Sequence, residues 1–294
     1  MKFIKIQGIA FCALAFLFAI LASTTALLSD STEVVFLAIM IATLGLPHGA
    51  LDTLFAKNRF HLNSLKRWLI FILIYLSIAV FFLQIWKVFP LLFLVTFLII
   101  SVFHFSQDPV SNPSFTSRIL YGGSIVFLPT LLHADEVLRI FSFLVKIGDA
   151  RPLVDGLHII AWPWALGLFT SCLLRLKKDW LSAIEMISVG LLATYASPLT
   201  AFTVFFCGMH SARHIIRMSE LTKSLTITTF RIFLAASTLP TLAVSLVGAV
   251  VWLFPTESSF DARVVQIVFV GLAALTVPHM VLLDGSNFHS RKSV

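Results

Sequence analysis

Stretches of about twenty mainly apolar residues recur along this chain, each closed by a short polar break. A helix needs that length to cross a hydrocarbon core of about 30 Å, and in lipid each backbone N–H and C=O has to be satisfied within the protein. The pattern predicts an all-α, polytopic transmembrane bundle of about ten spanning helices. They fall approximately at 5–28, 34–54, 67–86, 89–107, 117–133, 157–175, 180–196, 199–217, 229–254 and 263–284. The breaks carry turn or helix-start chemistry, as at Ser29-Asp30-Ser31, Asp108-Pro109, Ser197-Pro198 and Pro255-Thr256-Glu257. Without an internal repeat or a long linker, residues 1–294 read as a single integral membrane domain.

Composition narrows the classes further. Charged residues are 12% of the chain against about 25% in a soluble domain, and mean hydropathy is +0.98. That excludes a disordered chain, which lacks apolar mass. Three cysteines, all inside apolar runs, exclude a disulfide-stapled secreted scaffold. The net charge of +7 is spread in small clusters between the apolar runs. It forms no basic arm or face, so nucleic acid is not an expected partner and the clusters read as a topology signal.

Placing Lys2 and Lys5 inside, ten crossings put Lys57/Arg59/Lys66/Arg67, Arg175/Lys177/Lys178, Arg213/Arg217/Lys223 and Arg291/Lys292 in the cytoplasm. The weakly charged or acidic loops with Asp30/Glu33, Asp135/Glu136 and Glu257/Asp261 then face the other side. Both termini are expected to be cytoplasmic, and the membrane to be the inner (plasma) membrane. Glu136–Gly148 is too short and too charged to span and is expected at the interface or between helices. The first segment has the basic start of a secretory signal, but its apolar stretch exceeds the usual 7–15 residues, so it reads as a spanning helix.

Nine histidines stand among these few polar residues. Ionisable side chains at membrane depth are costly and point to function. His48, His104, His210, His214 and His279 all lie near the ends of segments that this topology makes cytoplasmic, so they share one depth. His210 and His214 are four residues apart and share a helix face, as two ligands of one metal would. His48 with Asp52 and His104 with Asp108 repeat the spacing with a carboxylate, which in each pair could accept the ring N–H and fix the tautomer of a ligand imidazole. A lone membrane histidine is often only an interhelical hydrogen-bond partner, but five at one depth argue for a metal. His61, His289, His133 and His158 read as solvated or interfacial. Imidazole suits Zn, Cu, Fe and Ni; iron activating dioxygen for a hydrophobic substrate is the natural candidate, although spacing alone does not choose it.

At Gly45-Leu46-Pro47-His48-Gly49-Ala50-Leu51-Asp52 the chain resembles the Brp/Blh family of bacterial and archaeal membrane β-carotene 15,15′-dioxygenases. Phe103-His104-Phe105-Ser106-Gln107-Asp108, His210-Ser211-Ala212-Arg213-His214 and Val277-Pro278-His279-Met280 are similar to its later elements, in order. The resemblance runs from roughly residue 40 to 284. It implies a non-haem Fe(II) enzyme that adds O2 across the central double bond of β-carotene and releases two all-trans-retinal, a product that could pass to a rhodopsin. By motif the iron ligands are His48, His104, His210 and His214, with His279 as an additional ligand or pocket residue and Asp52 and Asp108 as orienters behind the ligands. Twenty-nine Phe and six Trp could wall a carotenoid site, but Phe is ordinary in lipid-facing helices and Trp68, Trp86 and Trp180 suit interface anchoring.

Two other classes compete. A histidine-box di-iron desaturase or hydroxylase would need more ligands, typically with adjacent His-His pairs, and none occurs here. A transporter would string polar groups through the bilayer, whereas apart from Gln84, Glu185 and a few hydroxyls they gather at one end.

Overall fold

A computed structural model describes residues 2–24, 30–111, 113–221, 227–254 and 257–290, with side chains described for all of these except 30, 58, 218–236 and 283–290. Among the described residues every regular element is helical. The order is α1 (Lys2–Thr24), α2 (Asp30–Met40), α3 (Leu46–Ala50), α4 (Asp52–Phe60), α5 (Leu65–Val88), α6 (Pro90–Phe105) and α7 (Phe115–Phe127). Then come α8 (Thr130–Ser142), α9 (Ile147–Leu176), α10 (Trp180–Tyr195), α11 (Pro198–Thr203), α12 (Ala212–Leu221), α13 (Ile227–Leu253) and α14 (Phe260–Ser290). Wider π-helical turns at Ile41–Gly45 and Val204–Ser211 join α2 to α3 and α11 to α12.

Five helical stretches are long and apolar enough to cross a membrane, or six if the bent pair α7 and α8 is one span. Pro90–Phe105 and Trp180–Tyr195 are apolar but shorter. The sequence places a span at 117–133 and an interfacial segment at Glu136–Gly148. The chain instead bends by 60° between Phe127 and Thr130, and the second helix covers Thr130–Ser142. Pro129 lies at that break, where a missing N–H and a fixed φ favour a new helix start. The charged positions Lys223, Arg291 and Lys292, with Pro255 and Thr256, lie outside the described residues, as do the side chains of Asp284 and His289.

Unlike a soluble fold, the bundle is apolar outside as well as inside. Large apolar side chains such as Leu73, Leu174 and Leu253 point outward at 67%, 73% and 80% exposure, so the surface suits lipid. α1 packs along α10, α10 and α8 along α9, and α14 along α5 and α2, while α13 lies against α3. Between them sits a large core of interlocking aromatics and aliphatics, including Phe11, Leu37, Phe93, Tyr121 and Phe205, with a smaller cluster at Ala56, Leu62 and Leu282.

One buried charge pair holds the N-terminal helix to the rest. Arg213, which the sequence counts with the cytoplasmic cations, is fully buried and meets the Glu185 carboxylate with two N–H groups at 2.6 and 3.0 Å. Its Nε donates to Gln7 on α1 at 2.9 Å, and Gln7 in turn donates to the Gly208 carbonyl at 2.8 Å. Gly8 leaves the room: a Cβ there would stand 2.3 Å from Glu185 Oε1. An acid in mid-helix needs such a partner, because a lone charge in a low-dielectric interior is costly.

Candidate metal centre

His48 opens the site. The π-helical turn Ile41–Gly45 inserts extra backbone before it, and Pro47 starts the short α3 that carries it. Gly45 gives Phe206 room to approach, since a Cβ would lie 3.1 Å from that ring. Phe206 then stacks on His210 and meets His48 edge-on, with ring centroids 5.5 and 5.4 Å apart. His104 sits in the last turn of α6, and α7 crosses there at backbone contact. A Cβ on Gly122 would stand 2.4 Å from the Val102 carbonyl oxygen and 2.5 Å from the Ser106 nitrogen. His210 belongs to the second π-helical turn, His214 to α12, and His279 follows Pro278 within α14.

These five rings converge. One nitrogen from each of His48, His104 and His279 lies within 4.8 Å of the others, close enough to hold a metal ion. His210 stands 4.4 Å from His104 between ring centroids, and His214 stands 5.5 Å from His279 and 5.7 Å from His48. His48, His104, His210 and His279 are buried, and His214 is partly buried. The tightest trio therefore includes His279, with His210 and His214 flanking it.

Hydrogen bonds fix how the rings face. Asp108 accepts from His210 Nδ1 at 3.0 and 3.1 Å, and Asp52 accepts from His279 Nδ1 at 2.7 Å. An ionised carboxylate only accepts, so both rings carry their proton on Nδ1 and present the Nε2 lone pair. The Gly45 carbonyl takes the Nδ1 proton of His48 in the same way, with the Ser211 hydroxyl 3.1 Å from that nitrogen. The Nε2 atoms of His210, His214 and His279 are buried with no hydrogen-bond partner among the described residues. A buried donor or acceptor left so is costly, and a cation held by His48, His104 and His279 would give His279 a partner, with His210 and His214 beside it. The donor set and its orientation fit a transition metal ion.

The carboxylate pairing differs from the one expected from spacing. Asp52 holds His279 rather than His48, and Asp108 holds His210 rather than His104. Each Asp lies one turn past the histidine of its own segment, where the helix gives way to a turn that swings the carboxylate across to another helix. Both are anchored from behind. Tyr75 donates to Asp52 at 2.8 Å, and Arg217 and Arg213 donate to the Asp108 carbonyl oxygen at 2.6 and 3.2 Å. Tyr75, Arg213 and Arg217 were not singled out by sequence as site residues; a tyrosine in a long apolar run and two arginines flanking a histidine motif were the available signals.

His61, His133 and His158 stay out of the centre. His61 is exposed at the end of α4, His133 meets Glu136 at 3.1 Å, and His158 meets the Thr130 carbonyl at 2.7 Å. Trp68 and Trp86 are more than surface anchors: Trp86 donates to the Leu144 carbonyl at 2.9 Å, and Trp68 lines a cavity. That cavity, of about 630 Å3, opens directly onto His48, His104 and His279. Its other walls are mostly apolar, from Leu46, Phe71, Phe206 and Leu272.

Comparison with known proteins identifies the family. No solved structure matches the chain. A curated relative from an uncultured marine bacterium (66A03), named beta-carotene 15,15′-dioxygenase, is 34% identical over 254 residues, covering 83% of this chain and 90% of its own. Residues 39–285, which contain all five converging histidines and both aspartates, match the family described as beta-carotene 15,15′-dioxygenase. The chain belongs to the β-carotene 15,15′-dioxygenase family.

Proposed function

We propose that this protein cleaves the central 15,15′ double bond of β-carotene with O2, giving two all-trans-retinal, at a single Fe(II) held by His48, His104, His210 and His214. His279, beside His48 and His104, is a fifth nitrogen donor in this reading. The observation that carries it is the convergence of buried imidazoles, three with Nε2 unpaired among the described residues, against an apolar cavity of about 630 Å3. Iron would supply the redox-active centre at which O2 is activated. The reaction balances without a reductant: one C=C breaks, and each of its carbons takes one oxygen atom.

The chain's own residues supply orientation and exclusion. Asp52 and Asp108 keep His279 and His210 in one tautomer and one direction. The cavity walls exclude water and recognise the polyene by shape, since a hydrocarbon offers nothing to hydrogen-bond. No side chain needs to act as a general acid.

In the same reading the protein lies in the inner (plasma) membrane with ten crossings, α7 and α8 forming one bent crossing, and with both termini cytoplasmic. The histidine centre then lies toward the cytoplasmic side, and retinal is released into lipid, where a rhodopsin could take it.

Expression in cells that accumulate β-carotene tests the proposal. Loss of orange colour with retinal appearing, about one iron per chain, and loss of both iron and cleavage in His210→Ala are the expected results. Pigment that persists beside folded, iron-loaded protein refutes it, and two irons per chain would favour a di-iron hydroxylase.

A further inference from the structure

A second cavity, of about 340 Å3, adjoins the first, and Leu46, Val244, Leu272 and Leu275 line both. Along Ser31–Lys57, a stretch helical apart from the turn at Leu51, the second cavity touches Ala38 to Leu46 and the first touches Gly45 to Lys57. His48 thus stands ten residues beyond Ala38 and nine before Lys57. At ~1.5 Å per residue the two cavities follow this helix for about 28 Å, with the histidines near the midpoint. The far end of the second cavity is bounded by Trp252, and the opposite end of the first by Trp68.

Four glycines line this space, Gly45 and Gly49 in the first cavity and Gly248 and Gly271 in the second. Glycine in a membrane helix usually lets another helix come close, as Gly122 does. Gly271 in the second cavity and Gly49 in the first do the opposite: a Cβ on either meets nothing within 4 Å. Their missing side chains keep the furrow open.

We propose that the two cavities form one continuous site for a symmetrical C40 polyene, one half toward Trp68 and the other toward Trp252. The reacting bond is then selected by its distance from the two ends, since the walls offer a hydrocarbon no polar contact that would mark its centre. Gly271 and Gly248 are specificity-determining positions of the half that lies away from the histidines. The proposal rests on the carotenoid-cleaving reading above and adds where each half lies.

Gly271→Leu and Gly248→Leu, on opposite walls of the second cavity, test it. Each is measured for iron content, for carotenoid that co-purifies, and for retinal formed from two substrates. One substrate is β-carotene; the other is an apocarotenal that keeps one whole β-carotene half and has the other half cut short. The expected result is iron at the wild-type level, β-carotene turnover down by about tenfold or more, and apocarotenal turnover within about twofold of wild type. Unchanged β-carotene turnover, or a parallel fall for both substrates in iron-loaded protein, overturns the proposal. Should the Leu variants lose iron, Gly271→Ala is read by the same substrate ratio, and a wild-type ratio overturns it. Wild-type protein that retains carotenoid but forms no retinal refutes the cleavage reading instead; the furrow then stands if the Leu variants lose the bound carotenoid and falls if they keep it.

Discussion

Asp108 and His210 are 102 positions apart in the chain, yet both oxygens of the carboxylate lie within 3.1 Å of the His210 ring nitrogen Nδ1. The same aspartate offers its backbone carbonyl to Arg213 and Arg217. One residue thus joins the histidine cluster to the charge pair that fastens α1. Asp52 has the matching place on the other side, between Tyr75 and His279.

Replacing either carboxylate by its amide keeps the shape but removes the obligate acceptor. Asp108→Asn and Asp52→Asn should each weaken iron binding by about 10–100-fold. Chelator competition on purified protein measures this. Wild-type retention of iron in both variants would show that the aspartates do not hold the ligands.

The Arg213–Glu185 pair should respond as a unit. Arg213→Met leaves the buried Glu185 carboxylate without its cation, at a cost of about 3–5 kcal/mol. The double variant with Glu185→Leu should recover most of that loss. Unfolding temperatures in detergent decide it: a double variant whose loss equals the sum of the Arg213→Met and Glu185→Leu losses means the two side chains act independently.

The π-helical turn before His48 sets the direction of that ring. Removing Thr43, an exposed residue within Ile41–Gly45, shortens the helix path by one position and turns His48 by about 100°. Iron binding should fall sharply, whereas Thr43→Ala should leave it intact. Equal iron content in both would remove the turn from any role in aiming the ligand.

Asp179 caps α10, accepting from the Ser182 N–H and from Arg175, each at 3.3 Å. Burial pushes its carboxyl up, but hydrogen bonds with Ser111, Ser182 and Arg175 outweigh this and hold it below the ordinary value. The sign follows: its contribution is complete above the unfolded carboxyl range near ~3.9 and fades as pH falls through the lower folded value. Asp179→Ala should cost about 1 kcal/mol near neutral pH, with the gap from wild type closing below about pH 4. A gap that is constant from pH 7 to pH 3 would contradict the assignment.

Much of the centre was legible in the sequence because membrane depth makes polar residues scarce. Five histidines at one end could be seen to converge, since each sat near the end of an apolar run. The carboxylate partners were not legible. Spacing of four residues predicts a same-face neighbour only while the helix continues, and turns intervene before Asp52 and Asp108. The partner of Arg213 was not legible for a related reason: one sequence counts a cation by its loop, and only packing reveals that it is buried against Glu185. The 60° bend at Pro129 falls inside the span read at 117–133, because an unbroken apolar run hid the proline's missing N–H.

The tie between Gln7 and Arg213 has a consequence for biosynthesis. The two lie 206 positions apart, and at ribosomal speeds of ~5–20 residues per second about 10–40 s separate their emergence. α1 has to wait in the bilayer for its partner through that interval. Arg213, by contrast, arrives last, into a cup that α1 and α10 have already brought together, and so need not enter lipid alone.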